Sequence, residues 1–336
     1  MIRLAIIGYG YWGPNLLRNF LLTKGCKIST VCDLDSKRLA LIQKLYANIV
    51  VTSDYKSILQ DPEIDGVVIA TPPSTHFSLA SSAIKAGKDV LVEKPMATNV
   101  TDAEKLVSLA KNHKRILMVD HTFVYSKSVE EVGKIITKGK MGKIVNIDSV
   151  RINLGLYQRD INVVQDLAVH DFTIFDYFFG SLPESVSVVG AKHFDSYQED
   201  QAYLHLWYKG NTLANINVSW LSPIKVRRMI ICGTKQMLVY DDLEPSEKVK
   251  VFDTSVNIKR EAHEIFQMKV GYRQGDIFSP NIAVKESLMS VAEDFVESIK
   301  TRKNPKCDGV AGLRVVKILA AATKSLKNNG KSIRLS

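Results

Sequence analysis

Through the first third of the chain, short apolar runs alternate with amphipathic stretches. The runs at 2–7, 27–32, 49–51, 66–70, 88–92 and 115–119 predict strands. Between them, 14–22, 36–46, 74–86 and 101–113 space apolar residues three and four apart, the period of a helix with one buried stripe. Strand–helix alternation with such short links predicts a parallel sheet covered by helices on both faces.

After about residue 122 the period changes. One helix near 126–138 leads into strands that alternate at every second residue. "LANINVSW" puts Ala214, Ile216, Val218 and Trp220 on one face and Asn215, Asn217 and Ser219 on the other; "KIVNIDSVRIN", "AYLHLWY" and "RRMIICG" read the same way. This predicts an α+β domain with a mostly antiparallel open sheet, one face buried and one polar. Its polar, sparsely charged face suits contact between subunits, so a homo-oligomer, dimer or tetramer, is expected. Leu288, Val291, Ala292, Phe295 and Ile299 form a helix stripe. A last helix is stopped by Asn329 and Gly330. The expected domains are 1–122 and 123–336. The segments 154–165 and 253–284 have weak periodicity and are expected to be loops at a binding site.

Composition changes this picture little. With 336 residues, 46% hydrophobic and 24% charged, the chain has the make-up of a globular protein of about two domains. No apolar run approaches the ~20 residues that span a bilayer, and the early glycines do not suit a secretory signal; a cytoplasmic protein without membrane contact is expected. Cys26, Cys32, Cys232 and Cys307 show neither paired nor metal-like spacing, so no metal and no disulfide framework are expected. Lys and Arg number 45 against 35 Asp and Glu. That surplus suits an anionic ligand or plain solubility. The basic stretch at Lys134, Lys138, Lys140 and Lys143 lacks interleaved aromatics, which argues against nucleic acid.

The chemistry begins in "IIGYGYWGPNLLRNF" (6–20). Gly8, Gly10 and Gly13 follow the first predicted strand and open the first predicted helix, with Tyr11 and Trp12 inside the turn. Gly8 would allow the tight turn, Gly10 the approach of a pyrophosphate, and Gly13 close packing of helix on strand. The phosphates would lie on the helix N-terminal N–H groups. Asp33 stands twenty residues after Gly13, at the end of the second predicted strand. Its carboxylate there would accept hydrogen bonds from ribose hydroxyls and repel a 2′-phosphate. Asp35 adds to the repulsion, whereas Lys37 and Arg38 leave room for some NADP. The expectation is a Rossmann doubly wound domain that takes NAD as its cofactor. The bland alternative is a strand–turn–helix packed for structural reasons.

Further on, "VVIATPPSTHF" places Thr71, Pro72 and His76 at the end of a sheet strand, where ligands of such sheets gather. "DVLVEKPMATN" sets Lys94 between Glu93 and Pro95 at the end of the next, with a cis bond expected before Pro95. With the glycine turn, the ATPP run and the EKP tripeptide in order, the chain resembles the glucose–fructose oxidoreductase and inositol dehydrogenase family (Gfo/Idh/MocA). "DLAVHD", with Asp166 and His170, resembles that family's D-x-x-x-H pattern. "GYGYWGPNLLRN", "VDHTFVYS", "SVRINLG" and "QDLAVHDFTIFDYFFG" look like its nucleotide-sugar group, whose members include 3-dehydrogenases of UDP-N-acetylglucosaminuronic acid in surface-polysaccharide synthesis. "YRQGDIFSPNIAVKESL" also resembles that group, with Ser287 where a proline usually stands.

The resemblance implies an NAD-dependent enzyme that oxidises a ring hydroxyl, C3, of a nucleotide sugar. It puts Lys94, Asp166 and His170 in catalysis, where the two domains meet. His170 would be the base, because an imidazole titrates near working pH. Asp166, four residues earlier, would hold the ring or contact the sugar. Lys94 would donate to the reacting oxygen, or serve as base itself with His170 as the donor. Cofactor contacts are expected from the glycine turn, Asp33, Thr71, Pro72, His76, Glu93, Lys94 and His121. His121 has the alternative of a plain core histidine. Substrate contacts are expected from Lys94, Asp166, His170, Arg151, Asn153, Tyr157, Arg159 and Asn162, with a structural salt bridge as the alternative for Arg151. The rival functions are a dehydrogenase of a free sugar or cyclitol, an NAD-requiring glycosidase, and a non-catalytic NAD-binding regulator.

Overall fold

The six apolar runs of the first third become β1 (Ile2–Ile7), β2 (Cys26–Cys32), β3 (Val50–Thr52), β4 (Gly66–Ile69), β5 (Asp89–Glu93) and β6 (Leu117–Asp120) in a computed structural model. The model describes residues 1–155, 161–193, 198–259 and 269–335, with backbone alone at 257–259 and 269–273. The strands form one sheet in the order β3-β2-β1-β4-β5-β6, parallel at every pairing. β4 and β5 are buried throughout, as their unbroken apolar character requires. The order reverses between β1 and β4, and ligands of such sheets bind beyond the strand ends at that point.

The intervening segments form α1 (Gly13–Leu22), α2 (Ser36–Leu45), α3 (Tyr55–Gln60), α4 (Pro73–Lys85) and α5 (Val100–Asn112). Side chains set several of their starts: Asp35, Asp54 and Asn99 accept the N–H of Lys37, Lys56 and Asp102. α4 begins instead at Pro73, whose fixed φ suits a first turn.

The second unit opens with α6 (Lys127–Thr137) and β7 (Ile144–Ile152). A single π-helical turn (Val164–Ala168) runs directly into α7 (Val169–Phe179), which ends on Gly180 in the left-handed conformation. Then follow β8 (Ser185–Ala191), β9 (Gln201–Tyr208), β10 (Thr212–Ser219), β11 (Val226–Gly233), β12 (Met237–Asp241) and β13 (Val249–Phe252). A hairpin, β14 (Ser255–Lys259) and β15 (Lys269–Arg273), precedes the short β16 (Ile277–Phe278). With β17 (Ile333–Arg334), the large sheet runs β16-β13-β12-β11-β7-β10-β9-β8-β17. It is antiparallel except where β7 and β10 run parallel at its centre. Ala214, Ile216, Val218 and Trp220 are buried, as their alternation predicts.

Within 253–284, expected to be loops, the described residues include three strands. Two of them pair only with each other, and such short strands carry too little alternation to stand out. From Val164 onward the other expected loop is already helical.

α8 (Ser287–Thr301) and the start of α9 (Gly309–Lys327) belong to the first unit, Met1–Ser126 with Lys285–Lys317. The second unit is Lys127–Val284 with Ile318–Ser336. Phe295 of α8 meets Phe20 of α1 edge to face, with centroids 6.3 Å apart. Arg302, just past α8, places its guanidinium 2.8 Å from the buried carboxylate of Asp89 at the start of β5.

Candidate active site

In the first unit, the glycine turn is held by backbone geometry. Gly8 has φ +99°, and a Cβ there would lie 2.6 Å from the carbonyl oxygen of Ala70. A Cβ on Gly13 would lie 2.7 Å from the carbonyl oxygen of Gly8. Gly10 differs: the nearest atom to its Cβ position is Arg38 Nη1 at 4.0 Å, so backbone there faces open space. No side chain caps the start of α1. Tyr11 is 82% exposed and stands edge-on to Trp12.

Asp33, one residue past β2, is buried beside this turn. Its Oδ2 accepts the N–H of Tyr9 at 2.6 Å and its Oδ1 the N–H of Asp35 at 2.8 Å. Arg38 faces both acids, 3.4 Å from Asp33 and 3.5 Å from Asp35. A carboxylate at the strand end, open space over Gly10 and an uncapped helix start together fit a dinucleotide.

The ends of β4, β5 and β6 carry the next group. His76 on α4 is wholly buried, with Nδ1 2.8 Å from the Pro95 carbonyl oxygen and Nε2 2.8 Å from that of Thr71. It therefore ties two loops together and meets backbone. Thr71 pairs with Thr75 through their hydroxyls at 2.7 Å. The Lys94–Pro95 bond is cis, as expected.

Glu93 and Asp120 are register partners at the ends of adjacent strands, both buried. The N–H of Lys94 donates to Glu93 at 3.2 Å, and Thr122 Oγ1 donates to Asp120 at 2.8 Å. Burial, and for Glu93 the nearby Asp120 charge, raises both carboxyls; Asp120 is pushed up to about 6. Burial, helped by the charge of Lys94, pulls the His121 imidazole down to about 3. Neither ring nitrogen of buried His121 has a hydrogen-bond partner, a state that costs free energy until a ligand group meets it.

In the second unit, Asp166 lies on the π turn and His170 in the first turn of α7. Turns of this kind recur at functional sites. Trp220, just past β10, donates from Nε1 to Asp166 Oδ2 at 3.0 Å, and Gly155 leaves room for its ring. Asn162 and Gln165 each accept the other's N–H at 3.1 Å, a reciprocal cap on the turn; Asn162 also donates to Glu199 at 3.0 Å. Asn162 is thus engaged in holding the turn. Asn153 follows β7, half-buried, with its N–H on the Ser219 carbonyl oxygen. Arg151 is buried against Asp171, the salt-bridge arrangement. Burial opposes its charge, but the Asp171 carboxylate outweighs this and holds the guanidinium above its usual value. Tyr157 and Arg159 lie outside the described residues.

Reading the sequence missed Trp220, Asp120 and Asp171. Trp220 was visible as a buried tryptophan whose N–H needs an acceptor. Asp120 was visible as a second acid at a strand end, and Asp171 as the neighbour of His170.

Comparison with known proteins agrees along nearly the whole chain. Residues 2–121 match the Gfo/Idh/MocA model described as an oxidoreductase family, NAD-binding Rossmann fold, and residues 133–335 match that family's C-terminal alpha/beta domain. UDP-N-acetylglucosamine 3-dehydrogenase of Acidithiobacillus ferrooxidans is 28% identical over 77% of this chain and 77% of its own. The solved structure of that organism's UDP-N-acetylglucosamine 3-dehydrogenase GnnA superposes with a TM-score of 0.83 at 23% identity, covering 98% of each chain. An Agrobacterium radiobacter oxidoreductase in complex with NAD+, L-tartaric acid and magnesium superposes with a TM-score of 0.83 at 19% identity, over 99% of this chain and 98% of that one. Matched in both of its parts, this chain belongs to the Gfo/Idh/MocA family of NAD-binding oxidoreductases.

Proposed function

We propose that the protein oxidises a ring hydroxyl, C3, of a nucleotide sugar such as UDP-N-acetylglucosaminuronic acid, serving surface-polysaccharide synthesis. The observation that carries a dehydrogenase is the placement of Asp166 on a capped π turn and His170 in the helical turn that follows it, with Asp166 held by Trp220. The relative named for UDP-N-acetylglucosamine supports a UDP-sugar over a free one. NAD bound at the glycine turn supplies the acceptor for the two electrons and the carbon-bound hydrogen. Asp33 would hold the adenosine ribose, and the N–H groups at the start of α1 would meet the pyrophosphate.

His170 accepts the hydroxyl proton as the carbonyl forms, and Asp166 orients the imidazole or the sugar. Lys94 donates to the reacting oxygen and stabilises its growing negative charge. His76 acts through the loops it ties. We also propose that copies of the chain associate through the polar face of the large sheet. There Asn215 bridges His205 and Asp148, flanked by the partly exposed Tyr203 and Trp207.

The test is incubation of the purified protein with NAD and a panel of UDP-sugars, with and without 2-oxoglutarate. A product two mass units lighter, with NADH or 2-hydroxyglutarate formed in step, is expected for a UDP-sugar. Oxidation of myo-inositol or a free aldose alone overturns the reading, as does release of an aglycone without net oxidation.

A further inference from the structure

Asp171 directly follows His170 in the first turn of α7, and its side chain is 1% exposed. Its Oδ1 accepts Ser149 Oγ at 2.8 Å and its Oδ2 accepts Arg151 Nε at 3.0 Å, with Arg151 Nη2 3.4 Å from Oδ1. Ser149 and Arg151 are two apart on β7, so both project from one face of that strand. β7 is hydrogen-bonded on both sides, to β10 and β11, along the stretch that carries them. The guanidinium thus grips the start of α7 from the middle of the sheet.

A buried ion pair is a poor source of stability, because removing both charges from water offsets most of their attraction. What this pair does secure is geometry. A planar guanidinium and a carboxylate meet in a narrow range of orientations, so Asp171 cannot turn about the helix axis without breaking the contact. His170 is its neighbour along the same turn, and the carbonyl of His170 is itself bonded by Thr173 Oγ1 at 2.7 Å.

We propose that Arg151, with Ser149, is a positioning residue for His170, acting through Asp171 and not by touching the sugar. This rests on the reading of His170 as the acid–base residue. Asp166 and His170 then have one anchor each: Trp220 for the first, Arg151 for the second.

The test uses the full chain with NAD and UDP-N-acetylglucosaminuronic acid. Arg151→Met alone leaves a buried carboxylate without its partner, so it is made together with Asp171→Leu, which removes both charges. Arg151→Lys is the conservative companion, keeping the charge without the fork. The double replacement is expected to lower kcat by about 10²-fold, the cost of an ångström-scale misplacement, with KM for the sugar changed less than about threefold. Arg151→Lys should recover part of kcat. In a His170→Asn background the double replacement should cost nothing further, since both act through one imidazole.

A large rise in KM with kcat intact overturns the proposal and makes Arg151 a substrate contact. A loss that multiplies that of His170→Asn overturns it as well. If His170→Asn alone leaves turnover unchanged, it is the proposed function that fails, and this result is distinct from the other two.

Discussion

The glycine turn of the first unit and the π turn of the second do their work by different means. The first is made of backbone: three glycines, the N–H of Tyr9 on Asp33, and a helix start without a cap. The second, with the start of α7 that follows it, is held mainly by side chains bonded to side chains: Trp220 on Asp166, and Arg151 with Ser149 on Asp171, beside the local cap of Asn162 and Gln165. A backbone site needs particular residues because others do not fit. A side-chain site needs partners that meet from distant parts of the chain. Substitutions should therefore fail differently in the two places.

The largest effect is expected at the chemistry itself. His170→Asn or Lys94→Ala should lower turnover by a factor of about 10² to 10⁴, the range of positioned acid–base catalysis. Calorimetric NAD affinity should change far less, because the glycine turn and Asp33 are untouched. Unchanged turnover in both variants would remove the catalytic half of the comparison.

Asp33→Asn should weaken NAD binding by about 10- to 100-fold, corresponding to ~1.5–3 kcal/mol for hydrogen bonds to a charged group. NADP should lose less, narrowing the preference between them. Titration calorimetry that finds the unaltered protein favouring NADP would reverse the role given to Asp33.

Gly8 and Gly10 separate folding from binding. Gly8→Ala should lower stability by at least ~1–2 kcal/mol, the cost of a Cβ in left-handed backbone, with the close approach to Ala70 added. Gly10→Ala has open space and should leave the thermal midpoint unchanged. It should still weaken NAD by roughly tenfold, a crowded contact costing ~1–3 kcal/mol. Equal melting losses in the two variants would contradict this division.

The smallest effects concern pH. The Asp120 carboxyl sits near 6 when folded, against an ordinary value of 3.8, because burial disfavours its charge. The folded protein therefore holds more protons between those values, and stability falls as pH rises through that window and then levels. Asp120→Asn should reduce that slope, a change on the order of 1–3 kcal/mol seen in denaturant unfolding at pH 4 and pH 7, while the Glu93 carboxyl, also raised by burial, keeps part of it. Glu286 goes the other way. Hydrogen bonds from Arg18 and Asn19 hold it down to about 2, so its contribution is present above 4.5 and fades as pH falls toward 2. Exposed as that pair is, it is worth no more than about 1 kcal/mol.

The same contrast explains what could be read from the sequence. Gly8, Gly10, Gly13 and Asp33 act locally, through φ angles and strand ends, and their spacing led to NAD, as the alternation of apolar runs and amphipathic stretches led to the parallel sheet. The buried face of β10 was legible for the same reason, since alternation is a local signal. Arg151 and Asn162 were legible only as residue types. Each suits a sugar or a diphosphate, and nothing in their spacing showed that Asp171 and the π turn occupy them. The β14–β15 hairpin escaped because, among the described residues, its strands pair with each other and not with the large sheet that imposes alternation on the rest of the unit. The helix stripe from Leu288 to Ile299 was plain, but periodicity does not name the partner: it packs in the first unit, with Phe20.

That last placement has a consequence for how the protein is made. A ribosome releases Ser126 long before Lys317, yet both belong to one folded unit. Until α8 emerges, Phe20 lacks Phe295 and buried Asp89 lacks the guanidinium of Arg302. At roughly 5–20 residues per second, the 158 residues inserted between the two stretches of this unit (127–284) take about 8–32 s to synthesise. Through that interval the nascent parallel sheet lacks one of its helices, and the second unit in turn waits for Ile318–Ser336, so neither unit is complete until the last residues of the chain have emerged.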